Sequence, residues 1–587
     1  MAVMNPEASS LVAVYRTMLP TSLRRSLARR IPIRLRGLVK RILRRLQMGV
    51  GLSQSLRALR ARRRWPHLFR QGERLAALMD RGAQIALVRP TASPLGLREA
   101  NLELVVTALE WAGVDYFAVR GSSDFRACFG VRAEDRERVL AALDESGLQA
   151  PVYLSRGDAP KPALRAALTG SRRARRIGAD ADVLRVGMVW RDPGGSLPLG
   201  LEYGSDIEFW RGERGVLTAP RPNLVTDEVA ADSPRVMVPV SRLTGFASRH
   251  TRRTRQVRTL APYAAALPED VRFPVDVVYT WVDGNDPAWQ RRRREYGHGG
   301  YHEESANAAR YISRDELRYS LRSLEQNAPW VRRIFLVTDR QRPAWLDPDH
   351  PRITVVDHTQ IFDDPRALPT FNSHAIESRL HHIDGLSEHF LYFNDDMFLG
   401  RPVTPQDFFL SNGMTRVFFS PSQVPQLEVT AQDRPVDAAG KNNRRIIAER
   451  FGPTIVQKMR HAPYPLRRST LFEIEQEFAG HHQATGLSRF RSVTDISIPS
   501  SLYHYYAYFT GQAVPSEIEF AYLDLDKPEI ERRMGILLAR RDRQAFCIND
   551  TVSDGRDVDR QSRMLRDFLD AYFPIPSPFE RKEYHAR

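Results

Sequence analysis

The chain has little cysteine and no long apolar run. Its 587 residues include two cysteines, Cys128 and Cys547, which excludes a disulfide framework or a cysteine-based zinc motif and fits a reducing compartment. No stretch reaches the roughly 18 consecutive apolar residues of a transmembrane helix. The N-terminus lacks an uninterrupted apolar segment followed by a small-residue cleavage site, so no signal peptide is expected. These absences predict a cytoplasmic protein.

Acidic residues are missing from residues 8–72. No Asp or Glu occurs between Glu7 and Glu73, whereas residues 21–64 hold fifteen Arg or Lys. The formal net charge of +17 falls to about +2 without those fifteen charges, so the basicity belongs to a tail. Such asymmetry indicates an anionic partner surface.

Within this tail, residues 35–46 place apolar side chains at helical spacing, with Arg and Lys on the other face. The pattern is typical of a helix lying in a bilayer interface. A disordered tail, a helix packed on a partner and a nucleic-acid-binding segment are the alternatives, and the near absence of aromatic residues argues against the last. We predict that residues 21–64 bind the anionic inner face of the plasma membrane peripherally, with no nucleic-acid partner.

Length and composition predict several globular domains. A chain of this size suggests two to four of them, and 42% hydrophobic with 9% aromatic residues supplies their cores. The predicted division is a basic interfacial segment, an N-terminal α/β domain of unknown role, a linker that is basic and then rich in Ala and Pro, and a catalytic-type α/β domain: residues 1–72, 73–248, 249–274 and 275–587.

Two features of the N-terminal domain invite interpretation. Residues Glu73–Asp80 space Leu75 and Leu78 on one helical face, which predicts a short helix. The run Gly204–Glu208 carries alternating acids, a pattern faintly similar to the metal-binding acids of nucleotidyltransferases. We favour the simpler interpretation of a turn glycine and a solvated strand face.

Two apolar strands later in the chain end in acidic turns. Val275–Val282 runs into Asp283, and His389–Phe393 runs into Asn394–Asp396. Strands that alternate with helices predict a mostly parallel sheet, and the carboxyl ends of such strands border the ligand-binding crevice. We therefore expect both acidic turns at one site.

The acids themselves suggest a metal. Adjacent carboxylates such as Asp395 and Asp396 can hold Mg²⁺ on a diphosphate, and Asn549 with Asp550 offers similar chemistry from a distant segment. The competing interpretation of both pairs is a turn or a helix cap.

Residues beside the first acidic turn are candidates for donor binding. Thr280 and Trp281 would flank a base, Asp283 would bind a ribose hydroxyl or a metal-bound water, and Gly284 would let the backbone approach a ligand. An ordinary strand-to-loop turn is the alternative for this segment.

A stripe of arginines follows. Arg314, Arg318 and Arg322 are four residues apart, so on one helix they would share a face, and guanidinium groups clamp phosphates with two parallel hydrogen bonds. A solvated face paired with Asp315 and Glu316 is the alternative.

These segments resemble the four signature blocks of the Stealth family. The blocks are Val275–Asp286, Arg314–Phe398, His461–Tyr464 and Phe546–Thr551, in the family's order and over about half of the chain. The family contains bacterial capsular and exopolysaccharide phosphotransferases and the animal N-acetylglucosamine-1-phosphotransferase. The resemblance implies a modified nucleotide-sugar glycosyltransferase (GT-A-like) fold in the α/β class. It also favours Mg²⁺, or Mn²⁺, at Asp395, Asp396, Asn549 and Asp550.

The resemblance also suggests catalytic residues. His461 matches the histidine of the third block, which implies a general base. Arg491 and Asp495 match the end of that block and would position phosphate or orient the base. His374 is the second candidate for the base.

The implied reaction is transfer of a sugar-1-phosphate from a nucleotide diphosphate sugar to a hydroxyl of a growing cell-surface polysaccharide. The residues alone support only a metal-using nucleotide-sugar enzyme. An ordinary glycosyltransferase with the same donor and a non-catalytic, membrane-tethered glycan-binding protein are the alternatives. The family's animal members recognise protein-bound glycans through inserted modules. No such module separates the blocks here, so the resemblance favours a polysaccharide acceptor.

Overall fold

A computed structural model describes residues 59, 62–69, 74–79, 82–159, 165–247, 255–297, 313–549 and 558–584. The predicted interfacial segment, residues 21–64, lies almost wholly outside the described residues, and so does Asp550. Within the described part of the chain, no helix has both the length and the apolar character needed to cross a membrane.

The strands of the N-terminal part form two sheets. Their bounds are β1 (Arg74–Met79), β2 (Gly82–Val88), β3 (Tyr116–Ala118), β4 (Ala127–Arg132), β5 (Tyr153–Arg156), β6 (Ala167–Leu168), β7 (Val183–Gly187), β8 (Trp190–Arg191), β9 (Pro198–Leu199), β10 (Ser205–Glu213), β11 (Val216–Thr218), β12 (Glu228–Ala230), β13 (Arg235–Pro239) and β14 (Gln256–Leu260). The smaller sheet has the order β1-β2-β8-β9, and the larger has the order β13-β14-β3-β4-β10-β7-β5-β6, with β11 and β12 attached at β10.

Helices α1 (Pro94–Trp111), α2 (Arg136–Gln149) and α3 (Arg172–Asp180) accompany these strands. Helix α1 begins where the side chain of Ser93 accepts a hydrogen bond from the backbone of Gly96, the usual way to satisfy a free N-terminal amide. Its buried face includes Leu102, Val105 and Leu109. This part of the chain is therefore α/β, as predicted.

Two local predictions for this part are wrong. Residues 74–79 form strand β1, which pairs antiparallel with β2, because a short apolar run suits a hairpin strand as well as a helix. Residues 256–260, predicted to lie in a linker, form strand β14, which pairs with β13 and β3. The described end of that segment is thus built into the larger sheet.

The alternating acids of β10 do not face solvent. Asp206 and Glu208 are 2% and 0% exposed. Asp206 accepts hydrogen bonds from Arg185 and Arg221, and Glu208 accepts one from Arg221. The expected solvated face is therefore wrong, and arginines occupy the oxygens that a metal would need.

A second α/β unit follows. Its strands are β15 (Val275–Thr280), β16 (Ile334–Thr338), β17 (Ile353–Asp357), β18 (His389–Asn394), β19 (Met397–Leu399), β20 (Thr415–Val417), β21 (Phe419–Gln423), β22 (Gln457–Met459), β23 (Tyr464–Arg467), β24 (Ala513–Pro515), β25 (Phe520–Asp524) and β26 (Ala545–Asn549). Its helices are α4 (Pro287–Glu295), α5 (Glu316–Asn327), α6 (Ser373–Glu377), α7 (Pro435–Phe451), α8 (Arg468–Glu477), α9 (Ala479–Leu487), α10 (Tyr503–Phe509), α11 (Ile530–Arg540) and α12 (Val558–Tyr572).

The central sheet of this unit has the order β17-β16-β15-β18-β23. All pairs are parallel except β18 with β23. Parallel strands joined by crossover segments are typical of α/β folds, so the predicted α/β class is confirmed. The buried strands β15, β16 and β18 supply much of the core, including Val277, Leu336 and Phe390.

The register explains where the acidic turns lie. Strands β15 and β18 are adjacent and parallel, with Thr280 opposite Asn394, so both turns emerge at the same edge. A distant segment joins them because β26 pairs antiparallel with β19, with Cys547 opposite Met397. The expected crevice at the carboxyl ends of these strands is therefore present.

Candidate functional site

A cavity of about 830 Å³ lies at this edge of the sheet, within the usual size of ligand clefts. Its lining includes most of the residues predicted from the sequence: Thr280, Trp281, Arg314, His374, Asp395, Asp396, His461, Arg491 and Asn549. The fold therefore assembles these side chains around a single cavity.

Carboxylates crowd one wall of the cavity. Burial raises the pKa of Asp395 well above its usual range, and the neighbouring carboxylates of Glu316 and Asp396 raise it further. Burial also raises the pKa of Glu316 to about 7. Strand β18 ends at Asn394, and the next two residues, Asp395 and Asp396, form a turn. Successive side chains in a turn do not have to point to opposite faces as they do in a strand, and both aspartates line the cavity.

This carboxylate wall fits a divalent cation. Oδ1 of Asp396 is buried, with no closer donor among the described residues than Nε2 of His461 at 3.4 Å, and crowded carboxylates repel one another unless a proton or a cation lies between them. Asn549, the last residue of β26, adds an amide oxygen to the lining. Oxygen donors of this kind suit Mg²⁺ or Mn²⁺.

Two further side chains hold Asp396 in place. The thiol of Cys547 donates to Oδ2 of Asp396 over 3.2 Å, and burial, reinforced by the charge of Asp396, raises the pKa of this thiol well above its usual range. Nε2 of His461 lies 3.4 Å from Oδ1 of Asp396. Ligand atoms of Asp396, His461 and Cys547 lie within 4.8 Å of one another. The aspartate is therefore the meeting point of three segments.

The second ring nitrogen of His461, Nδ1, lies 3.2 Å from the hydroxyl of Tyr464. Burial lowers the pKa of His461, but the carboxylates of Asp396 and Glu377 outweigh it, so the net effect is a raised pKa. His461 is therefore coupled to the carboxylate wall.

The other histidine of the cavity has a carboxylate partner of its own. Nδ1 of His374 lies 3.4 Å from Oδ2 of Asp495. Asp495 is fully buried, and the same oxygen accepts hydrogen bonds from Asn372 and Ser492. A carboxylate fixed in this way orients an imidazole. Asp495 thus contacts His374 and not the predicted base His461.

Arg491, predicted to act with Asp495, also lines the cavity. Its Nη2 donates to Oγ of Ser373 over 2.7 Å, which places the guanidinium beside the helix that carries His374. Arg434, Lys458 and Arg460 add basic groups to the same lining, although Arg434 and Lys458 are paired with Asp437 and Arg460 with Glu517. Such a charge distribution suits a ligand that carries both a metal and phosphates.

Sequence reasoning missed two buried acids of the lining. Glu316 lies at the start of α5, where an acid is easily interpreted as a helix-terminal residue. Glu377 accepts a hydrogen bond from the Tyr392 hydroxyl through Oε1, whereas Oε2 is buried with no donor among the described residues. The sequence did contain a signal for Glu377. The His374-x-x-Glu377 spacing places both residues on one face of a helix, so a site at His374 predicts Glu377 beside it.

Asp283 and Gly284 lie in the turn after β15 and are not part of the cavity lining. The backbone amide of Asp283 donates to Gln341, its carboxylate accepts from the amide of Asn285, and the carbonyl of Gly284 accepts from Gln290. These contacts match the ordinary turn that was the alternative interpretation.

The three arginines predicted to share one helix face lie in two different environments. Helix α5 begins at Glu316, so Arg314 precedes it and lines the cavity. Arg318 and Arg322 both donate to the buried carboxylate of Glu580, and neither lines the cavity. The predicted common face is therefore wrong, because Arg314 lies outside the helix, and we do not propose a phosphate contact for the other two.

Family models and relatives agree on the affiliation. The four conserved regions of Stealth proteins match residues 273–301, 310–417, 460–508 and 536–587. An exopolysaccharide phosphotransferase of Streptomyces coelicolor is 71% identical over 583 residues, 99% of either chain. The chain belongs to the Stealth family. A more distant member, the exopolysaccharide phosphotransferase CpsY of Mycobacterium tuberculosis, is 35% identical over 506 residues, covering 86% of this chain and 92% of CpsY.

Among solved structures, this Stealth protein is similar to the galactosyltransferase LgtC. The likeness covers 53% of this chain and 99% of LgtC, at 11% identity and a TM-score of 0.28. Mouse xyloside xylosyltransferase 1 gives 7% identity and a TM-score of 0.25 over 47% of this chain and 98% of that enzyme. Likenesses at this level carry no argument about activity.

Proposed function

We propose that this Stealth protein transfers a sugar-1-phosphate from a nucleotide diphosphate sugar to a hydroxyl of a growing cell-surface polysaccharide. The acceptor oxygen attacks the phosphorus next to the sugar, the bond to the bridging oxygen breaks, and the nucleoside monophosphate leaves. The product keeps that phosphorus in a phosphodiester. The observation that carries the proposal is the single cavity whose lining combines the carboxylates of Glu316, Asp395 and Asp396 with the guanidinium groups of Arg314 and Arg491. The names of the relatives support it.

Charge complementarity explains how the cavity would hold the donor. Asp395, Asp396 and Asn549 would hold Mg²⁺, which neutralises diphosphate charge. Arg314 and Arg491 would bind the phosphate oxygens, and Trp281 would flank the base. Phosphoryl transfer depends mainly on positioning and charge stabilisation, and these residues supply both.

The acceptor proton needs a base in the cavity, and His374 is the better oriented imidazole. Asp495 fixes one of its ring nitrogens, which leaves the other to accept a proton, as in other carboxylate–histidine pairs. His461 was the first prediction from the sequence and contacts Asp396 instead. We assign proton removal to His374 and a supporting role at the carboxylate wall to His461.

The basic tail completes the proposal. Residues 21–64 would attach the protein to the anionic inner face of the plasma membrane, since each basic residue near such a surface contributes about 1 kcal/mol. Attachment there would bring the enzyme to a membrane-bound acceptor.

The test is a donor screen with the purified chain and Mg²⁺, following release of nucleoside monophosphate and retention of a phosphorus label in the polymer. Asp396→Asn should fold and lose transfer, and EDTA should inactivate the parent. Asp283→Asn is the matched control, because Asp283 lies outside the cavity lining, and it should keep most of the activity. Release of nucleoside diphosphate with no label in the polymer would indicate an ordinary glycosyltransferase. Binding without turnover of any donor would indicate a glycan-binding protein.

A further inference from the structure

A second cluster of ligating side chains lies away from the cavity. It forms where the 3₁₀ turn Leu380–His382 meets α8 and α9. Its members are His381, His382, Glu475 and His482, none of which lines the cavity. Since the turn follows α6, which carries the lining residues His374 and Glu377, the cluster connects the segment after α6 to the two helices.

The distances are short enough for one ion. Nε2 of His381 and Nε2 of His382 lie 2.6 Å and 2.8 Å from the same oxygen of Glu475. Nδ1 of His482 lies 3.7 Å from the other oxygen, and the ligand atoms of His381, Glu475 and His482 lie within 4.8 Å of one another. Tetrahedral zinc, with bonds of about 2.0–2.1 Å to imidazole nitrogen, separates its ligand atoms by about 3.3 Å. Small shifts would reach that geometry.

The donor set points to zinc in particular. Imidazole nitrogens with one carboxylate suit zinc, whereas Mg²⁺ prefers oxygen donors throughout. His381 and His482 are 1% and 2% exposed, so the rings are fixed by packing. The Glu475 side chain is 22% exposed, which leaves a path for an ion from solvent.

The simpler explanation of the cluster is an ion pair between Arg379 and Glu475. Nη1 of Arg379 donates to Oε1 of Glu475 over 2.6 Å, so the carboxylate already has one cation. His381 and His382 also lie within hydrogen-bond distance of Oε2, but neither these contacts nor the arginine accounts for His482, whose Nδ1 lies 3.7 Å from Oε1. Arg379 also has a second acid within reach, because Asp363 lies 4.0 Å away and is 82% exposed. The guanidinium can therefore turn to Asp363 when a metal takes Glu475.

We propose that His381, Glu475 and His482, whose ligand atoms lie within 4.8 Å of one another, bind a structural zinc ion, and that His382, whose Nε2 lies 2.8 Å from Glu475, moves to supply the fourth ligand. The ion would tie the segment after α6 to α8 and α9 and so hold the cavity-lining residues of α6 in place. It is independent of the proposed transfer reaction and of the cation on the carboxylate wall.

Metal analysis of the purified full-length chain tests this proposal. After dialysis against micromolar zinc and then metal-free buffer, we expect about one zinc per chain and a higher melting temperature than after chelator treatment. Glu475→Gln should lose the zinc and the chelator effect. His481→Ala, a change at the neighbouring residue, should keep both. His461→Ala should also keep both, which separates this site from the Asp396 cluster.

Cobalt substitution tests the parent without any variant that could fail to fold. Tetrahedral cobalt(II) with this donor set should give visible absorption bands that one equivalent of zinc removes. Absence of both zinc retention and the cobalt bands in the parent would overturn the proposal. Retention of zinc by a folded Glu475→Gln variant with loss from His461→Ala would also overturn it, since the ion would then lie in the cavity.

Discussion

Glu580 joins the last segment of the chain to helix α5, and its removal should destabilise the catalytic unit strongly. Its side chain is fully buried, and its oxygens accept from Nε of Arg318 at 2.6 Å and from Nε and Nη2 of Arg322 at 2.7 Å each. A fourth donor is the amide of Ser577 at 2.8 Å. Burial alone would raise the pKa of Glu580, but Arg322 and the other donors hold it below its usual value.

The substitution Glu580→Gln keeps the shape and removes the charge. Two guanidinium groups, with side chains 11% and 6% exposed, then lose the buried carboxylate that they share, and Arg322 keeps only Asp570 at 4.0 Å. Breaking a buried ion pair from one side costs about 3–5 kcal/mol, so the free energy of unfolding should fall by about that amount. Chemical denaturation followed by fluorescence measures it. Glu583→Gln is the control, because the side chain of Glu583 is 69% exposed and its loss should change stability by no more than about 0.5 kcal/mol.

Donor kinetics decide whether these arginines have another role. At a temperature where the variants stay folded, Arg322→Gln should leave the KM for the donor nearly unchanged, whereas Arg314→Gln should raise it. The reasoning is refuted if Arg322→Gln raises the donor KM about tenfold while stability stays that of the parent.

Three further predictions concern catalysis, acid stability and attachment. His374→Ala should lower kcat by about 10²–10⁴-fold and change the donor KM much less, and an unchanged kcat would indicate that His461 is the base. Burial lowers the pKa of His504 to about 3, so its contribution to stability is complete above pH ~6.5 and is lost as pH falls toward 3. Between pH 7 and pH 5 the parent should therefore lose about 2 kcal/mol more than His504→Phe in denaturation experiments, and equal losses would contradict this. Deleting residues 1–58 should abolish salt-sensitive sedimentation with anionic vesicles and leave transfer to a soluble acceptor intact, whereas unchanged sedimentation would disprove attachment through the tail.

The site was predictable where its position depends on strand ends. An apolar run that stops in acids fixes both the strand and the edge at which its carboxylates emerge, so Asp395 and Asp396 could be placed from the sequence. The resemblance to the family's signature blocks added His461 and Asn549 to the predicted site. Their position next to Asp396 depends on pairing between strands that are distant in the sequence, which the residues alone do not indicate. The same logic failed for Asp283, because a residue at a strand end can turn away from the crevice and bind its own loop.

Partners distant in sequence were not predictable. Arg318 and Glu580 are 262 positions apart, and His374 and Asp495 are 121 apart, so no local pattern indicates either pair. Charged residues at helical spacing suggest a solvated face, yet this face is buried against the end of the chain. The partners of Asp206 were not predictable either, because Arg185 and Arg221, which donate to it, come from other segments of the N-terminal part.

The contacts of Asp396 explain how the last block reaches the cavity although Asp550 lies outside the described residues. Strand β26 places Cys547 where its thiol donates to Oδ2 of Asp396, and the amide of Ile548 donates to the backbone carbonyl of the same aspartate. Since the pKa of the Cys547 thiol is raised by burial, the thiol stays protonated and keeps donating. One carboxylate oxygen is thereby fixed, and the other, Oδ1, lies 3.4 Å from Nε2 of His461. A segment 151 positions away along the chain thus shapes the carboxylate wall.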